Sequence, residues 1–228
     1  MANILNIETS TTVCSVALSC DGEVLEHHED YEGNNHSTML SVFLDDIVKY
    51  ITSREIKLDA VAVSIGPGSY TGLRIGLSAA KGLCFGYDVP LIGVNTLQLL
   101  SVGAMFSRFN EDDAYYVPMI DARRNEVYTA IYNNALEEII PAQAMILNEE
   151  SFAGYENKLL FIGNGAKKWK EMSQVKNAAY LTEVKPVAVD MIALAERAYR
   201  RGEFIDVAYS TPLYLKEFQA TTPKNKVL

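Results

Sequence analysis

Ile4-Leu5-Asn6-Ile7-Glu8-Thr9-Ser10-Thr11-Thr12-Val13-Cys14-Ser15-Val16-Ala17-Leu18-Ser19-Cys20 opens the chain and decides its architecture. Ile4, Leu5 and Ile7 mark a strand, residues 8–12 a tight polar turn, and residues 13–20 a returning strand. Asp21-Gly22 is a hairpin signal, and the alternation over residues 23–31 predicts a third strand. Met39, Leu40, Phe43, Leu44, Ile47, Val48 and Ile51 then recur at helical spacing over residues 36–51. Residues 58–65 form a short apolar run suited to a buried strand. Beyond Gly66-Pro67-Gly68 a second helix is predicted over residues 71–87.

A related order returns from Tyr115. An apolar strand ends at Asp121, a turn follows over Ala122-Arg123-Arg124-Asn125, and Val127, Thr129 and Ile131 alternate on a second strand. Residues 159–162 read as a strand that runs through Gly163-Asn164-Gly165 into a short helix around Trp169. A repeat this long exceeds any solenoid unit and fits two similar lobes facing a cleft. Chance likeness between two mixed α/β halves is the competing reading. The division expected is residues 1–104 and 105–228, with the C-terminal segment packing back on the first lobe. The last predicted helix, residues 189–201, carries Met191, Leu194, Ala195, Ala198 and Tyr199 on one stripe and stops at Gly202. Arg197, Arg200 and Arg201 in its final turns suit the helix dipole.

The chain has 228 residues, 49% of them hydrophobic, and a formal net charge of −9. That acidity argues against a protein that grips nucleic acid by itself, which needs a concentrated basic surface. The short basic end at Lys216, Lys224 and Lys226 suits a solvated tail. No long apolar run suggests a membrane span, and the first residues lack the pattern of a signal peptide, so a cytosolic place is expected. Cys14, Cys20 and Cys84 form no CxxC pair and read as buried free thiols.

The most distinctive stretch is Ser64-Ile65-Gly66-Pro67-Gly68-Ser69-Tyr70-Thr71-Gly72-Leu73-Arg74-Ile75-Gly76, where a strand enters a helix through a glycine-rich turn. Gly66, Pro67, Gly68, Ser69, Thr71, Gly72 and Arg74 make a turn of the kind that holds an anion at a helix N-terminus, or one that simply seats the helix close on its sheet. The glycine spacing is neither a dinucleotide fingerprint nor a Walker A loop. The helix that follows is apolar on more than one side: Leu73, Leu77, Ala80 and Cys84 form one stripe, Gly72, Gly76, Ala79 and Leu83 another. Residues 37–51 are apolar over a similarly broad arc. Such helices need cover on more than one side, from their own sheet and from something else, a partner chain or the second lobe.

Glu8 and Asp121 occupy equivalent places at the two turns, yet neither turn carries the glycine that lets backbone close on a phosphate. His27 and His28 are adjacent on a strand and point to opposite faces, and the residue four beyond His36 is Leu40, so no histidine pair can hold a metal. No serine–histidine–acid order is present, and no cysteine has an activating neighbour.

Residues 4–18, the run from Gly66 to Leu83, and Ile92-Gly93-Val94 together resemble the TsaB (YeaZ) family of the actin-like ATPase (ASKHA) superfamily. Asp121-Ala122-Arg123-Arg124-Asn125-Glu126-Val127-Tyr128 and Pro212-Leu213-Tyr214-Leu215 are similar to its further signatures. The likeness spans the chain and is weakest over residues 133–185. It implies a duplicated actin-like, ribonuclease H-like α/β fold, two lobes each with a mixed sheet flanked by helices. It also implies a non-catalytic partner of TsaD, the protein that transfers a threonylcarbamoyl group to adenosine 37 of transfer RNA. The family pairs with TsaD through first-lobe helices, here at Met39, Leu40, Phe43, Ile47, Leu73, Gly76, Leu77, Ala80, Leu83 and Cys84. The ATPase TsaE joins the assembly, homodimers form in the absence of TsaD, and transfer RNA is met only indirectly. No metal and no cofactor is expected on the isolated chain, ATP or ADP belonging at most to an interface of the complex. The alternative is a small-molecule kinase or ATPase of the same superfamily.

Overall fold

The computed structural model describes residues 2–33, 35–107 and 113–216. Lys224 and Lys226 lie outside them. The first lobe begins with β1 (Asn3–Glu8), β2 (Cys14–Cys20) and β3 (Glu23–Asp30), followed by α1 (His36–Ser53), β4 (Ala60–Gly66), α2 (Tyr70–Tyr87), β5 (Leu91–Asn95) and α3 (Thr96–Phe106). Then come β6 (Tyr115–Asp121), β7 (Glu126–Tyr132), β8 (Glu138–Ile146), β9 (Leu159–Ile162), α4 (Asn164–Met172), β10 (Ala178–Leu181) and α5 (Ala188–Arg201).

Each half makes one five-stranded mixed sheet, in the orders β3-β2-β1-β4-β5 and β10-β9-β6-β7-β8. Counted from the first strand of its own half, the second order is the first repeated. β1 runs antiparallel to β2, with Ile7 opposite Val16, and parallel to β4, with Ile7 beside Val63. β6 likewise runs antiparallel to β7 and parallel to β9. The duplication legible in the sequence is therefore a duplication of topology. No helix stands between β8 and β9, where the first half has α1.

The first sheet is covered on both faces, which is why its strands are apolar nearly throughout. Leu5, Ile7, Val61 and Val63 pack beneath α1 and α2, while Ile4, Ala60, Ala62 and Ile92 pack beneath α3 and α5. Adjacent residues of a strand point to opposite faces, so the two sets interleave along β1 and β4.

The lobes do not follow the expected division at residues 104/105. That boundary cuts α3, and α3 is shared. Its Leu97, Leu100 and Ala104 join Tyr116, Ile120 and Leu160 of the second sheet, while Leu99 and Val102 face Ile4, Met191 and Leu194. α5, although it ends the second half of the chain, lies on the first sheet through Met191, Leu194 and Ala195. The physical reason is that α3 is apolar around its whole circumference and needs two surfaces to cover it.

After Gly202, which closes α5 in a left-handed conformation, residues 203–216 run back along the first lobe. Ile205 bridges Leu91, and the Leu213 amide donates to Ile65 O at 2.7 Å. Tyr214 stacks on Tyr70 at 5.3 Å between ring centroids, and Lys216 pairs with Glu126 of β7. This strap therefore touches both lobes at the mouth of the cleft.

Candidate functional site: the cleft between the lobes

A cleft of about 760 Å³ separates the two β-turns that the sequence singles out. Ser10, Thr11, Thr12, Pro67, Gly68 and Ser69 line it from the first lobe, Asp121, Ala122, Arg123 and Asn164 from the second, and Tyr214 and Lys216 from the strap.

The first turn and the glycine-rich segment are interlocked. Ser69 donates its amide to Ser10 O at 2.7 Å, and Thr9 Oγ1 donates to Gly72 O at 2.8 Å. A Cβ on Gly68 would lie 2.3 Å from Ser10 O, one on Gly72 2.1 Å from Thr9 O, and one on Gly76 2.2 Å from Thr9 Oγ1. Gly72 and Gly76 continue Gly68 as a smooth strip along one side of α2, filled by backbone of the turn at Gly68 and Gly72 and by the Thr9 hydroxyl at Gly76. Ser69 caps α2, its hydroxyl accepting from the Gly72 amide at 3.2 Å. Gly66 packs on the strap, where an added Cβ would sit 2.9 Å from Leu213 O. Pro67 and Thr71 line the cleft wall, and Arg74 donates outward to the Tyr70 hydroxyl at 2.5 Å.

The two carboxylates at the turns are both committed. Glu8 is wholly buried; Oε1 accepts from the amide and the hydroxyl of Ser10, each at 2.5 Å. Burial pushes its carboxyl up to about 7, partly offset by these Ser10 contacts and by the nearby Ser64 hydroxyl. Ser64 Oγ and Glu8 Oε2 nevertheless lack hydrogen-bonding geometry to any described group. Asp121 is held by Lys168, whose Nζ donates to Asp121 Oδ1 at 2.7 Å and to the Arg124 and Glu126 carbonyls at 2.8 and 2.6 Å. Asp121 Oδ1 also accepts from the Arg123 amide at 2.7 Å. Lys168, on α4, escaped the sequence reading because nothing local ties it to a turn more than forty residues away.

The groups that a metal-bound nucleotide would use are engaged within the protein. The nucleotide's phosphates need open glycine backbone and free carboxylates, and here the glycine strip is occupied by protein, Glu8 sits behind Ser10, and Asp121 is neutralised by an ammonium. His36 is engaged as well, with Nε2 2.7 Å from Thr11 O. Cys14 and Cys84 are buried free thiols pushed up to about 12 and about 11, chiefly by burial, and so are poor nucleophiles. Cys20 is free and half-buried rather than fully enclosed. Among the described residues no cluster of His, Cys, Asp or Glu is placed to hold a metal.

The residues expected at a partner interface need correcting. Leu40, Phe43, Ile47, Leu73, Gly76, Leu77, Ala80 and Cys84 are buried within the first lobe, the apolar ones in the core beneath α1 and α2. Met39 and Leu83 are half-buried at its rim. The chain's own sheet covers the buried apolar residues of these stripes, the first turn covers Gly72 and Gly76, and Met39 and Leu83 are left part-exposed. The outward surface of the two helices is a different one: Val42 on α1 is 49% exposed and Phe85 on α2 is 88% exposed, with Gly82 and Gly86 open beside it.

The paired sheets of one order, an interlobe cleft and two facing turns define a protein of the duplicated actin-like, ribonuclease H-like class. A sequence model of the family described as "TsaD: tRNA N6-adenosine threonylcarbamoyltransferase" matches residues 24–223. The tRNA threonylcarbamoyladenosine biosynthesis protein TsaB of Escherichia coli is 31% identical, over 93% of this chain and 94% of that protein. YeaZ from Pseudomonas aeruginosa superposes with a TM-score of 0.79 at 28% identity, covering 94% of this chain and 100% of that one. A tRNA N6-adenosine threonylcarbamoyltransferase of Carboxydothermus hydrogenoformans is 36% identical, but over only 48% of this chain and 36% of the transferase. The chain belongs to the TsaB (YeaZ) family, within the wider threonylcarbamoyltransferase-like group.

Proposed function

We propose that this chain is an accessory subunit in the biosynthesis of threonylcarbamoyladenosine on transfer RNA, binding the TsaD-type transferase and performing no chemical step itself. One observation carries the reading: the acidic groups of the two turns and the glycines of the glycine-rich segment, where a metal-bound phosphate could be held, are here spent on holding the protein together. Glu8 is tied to Ser10, Asp121 to Lys168, and Gly68, Gly72 and Gly76 to the first turn. A small-molecule kinase would need those groups free. Family membership supplies the pathway, since the full-length relative that aligns over 94% of its own length is a biosynthesis protein of this modification.

The surface proposed for the transferase is the outward side of α1 and α2 around Val42 and Phe85. An almost fully exposed phenylalanine flanked by two glycines is costly in water and lets a partner's helix approach closely. The same face would serve a homodimer when the transferase is missing, and the ATPase TsaE would join the pair. The reading includes a cytosolic place of work and no nucleotide on the isolated chain. Among the described residues no helix is long and apolar enough to cross a membrane.

Reconstitution tests the reading. Purified transferase is assayed for modification of transfer RNA with this chain present, omitted, or replaced by Phe85→Glu. Activity that requires the chain, and is lost together with association in Phe85→Glu, is expected. Turnover of ATP, or transfer of the threonylcarbamoyl group, by this chain alone would overturn the proposal.

A further inference from the structure

On the opposite side of the first sheet from α1 and α2, the last turns of α5 face the β2–β3 turn and the end of α3 across an open groove of about 570 Å³. Gly22, Val24, Phe106, Ile192, Glu196 and Arg197 are among its walls. Val24 is 42% and Phe106 64% exposed, so the groove presents large apolar side chains that no described residue covers.

Its polar groups are unequal. Arg200 bridges Asp21 at 3.3 Å and Glu196 at 3.5 Å, and Arg201 lies 3.6 Å from Glu203. Arg197 makes no ion pair among the described residues. Glu196 is only 7% exposed, and its Oε1, buried in the groove wall, accepts from no described donor. A buried carboxylate oxygen without a donor is expensive, and so is a half-buried guanidinium without an acceptor.

We propose that this groove receives an extended segment of a protein partner that presents an apolar side chain beside a carboxylate. The apolar side chain sits between Phe106 and Val24, and the segment's carboxylate accepts from Arg197. One segment thereby covers the apolar walls and pairs Arg197. RNA does not: a phosphate backbone would gain a single unpaired arginine, meet the Glu196 charge, and leave the apolar floor wet. The groove and the Phe85 face lie on opposite sides of the sheet, so this surface is separate from the one proposed for the transferase.

The test is selection of random heptapeptides on the full chain, followed by titration of the enriched peptides against the full chain and its variants. Enrichment of an acid next to a large apolar residue is expected, with about tenfold weaker binding to Arg197→Ala and to Phe106→Ser, and near-native binding to Arg197→Lys. Circular dichroism identifies any variant that fails to fold; Arg197→Lys and Arg197→Glu, on a solvent-facing turn, keep the test decisive if Phe106→Ser does not fold. Binding that ignores Arg197→Glu overturns the proposal. So does displacement of the peptides by transfer RNA, or by self-association of the chain. The chain itself carries Phe109, Glu111 and Asp112 just beyond α3, the chemistry the groove selects for. Peptide affinity that rises when these three are changed to serine, or when residues 217–228 are removed, would mean the groove is filled from within and would overturn an external partner.

Discussion

Replacing Glu8 by glutamine should stabilise the protein above neutral pH and leave it nearly unchanged in mild acid. Glu8 is wholly buried, makes no ion pair among the described residues, and titrates near 7 instead of its ordinary 4.5 because burial penalises the charged form. The thiol of Cys14 faces the same charge and is itself held neutral. A carboxyl raised in the folded state contributes its full share below the unfolded value of 4.5 and loses it as pH climbs through about 7. The shift corresponds to about 3 kcal/mol over the whole window, of which about 2 kcal/mol falls between roughly pH 5.5 and roughly pH 8.5. Glutamine keeps an oxygen for the two Ser10 donors, and its amide can donate to Ser64 Oγ, an atom now without a partner. Asp190, pushed up to about 6 by burial and by Glu29, titrates in the same window but is common to both proteins, so the difference between them isolates Glu8. Urea denaturation across that pH range should give the wild type a steeper fall in stability than Glu8→Gln, by about 2 kcal/mol between its ends. Parallel pH dependences would refute the reasoning and mean that Glu8 is ionised in the folded protein at no cost.

Phe85→Glu should abolish association with the transferase while shifting the wild-type melting temperature little, whereas Leu77→Glu should unfold the chain, because it places an unpaired charge in a buried core at a cost of several kcal/mol; pull-down and thermal melts on the same two proteins separate surface from core. Gly72→Ala should cost about 1–3 kcal/mol in urea midpoints, since its Cβ would meet Thr9 O at 2.1 Å, while Gly82→Ala, which faces open space on the same helix, should be neutral or stabilising by up to about 1 kcal/mol. Lys168→Met should remove three hydrogen bonds that hold the second turn and lower stability by about 1–3 kcal/mol, measured the same way.

The repeat was legible because its signals are local. Each half announces itself by strand, polar turn and strand, and the near-continuous burial of β1, β2 and β6 over six or seven residues marks strands covered on both faces. α1, α2 and α5 showed themselves by the 3.6-residue recurrence of Leu40, Phe43 and Ile47, of Leu73, Leu77 and Ala80, and of Met191, Leu194 and Ala195. The stripe on α1 and on α2 lies on the first sheet and the first turn, so the residues that a second chain could meet are others. A broad apolar arc says that a helix is covered, and the sequence contains no term for whether the cover is its own sheet or another molecule. The residues that answer the question are those such a reading passes over: Val42 and Phe85, apolar side chains outside the stripe.

α3 illustrates the opposite failure. Thr96-Leu97-Gln98-Leu99-Leu100-Ser101-Val102-Gly103-Ala104-Met105-Phe106 has no polar face, so it offers no periodicity, and the expected boundary at 104/105 falls inside it. That lack of a face is itself informative, because a helix apolar all round must be enclosed. With α3 between the second sheet and α5, and α5 in turn on the first sheet, each half of the sequence completes the core of the other. The strap adds a third tie at the cleft mouth, through Tyr214 on Tyr70 and Lys216 on Glu126. An enzyme that opens and closes around a nucleotide needs its two turns free to move, whereas here the first is locked to α2 and the second to Lys168. The same contacts leave the first lobe a fixed platform, with exposed apolar side chains on each side of its sheet, Phe85 on one and Phe106 on the other.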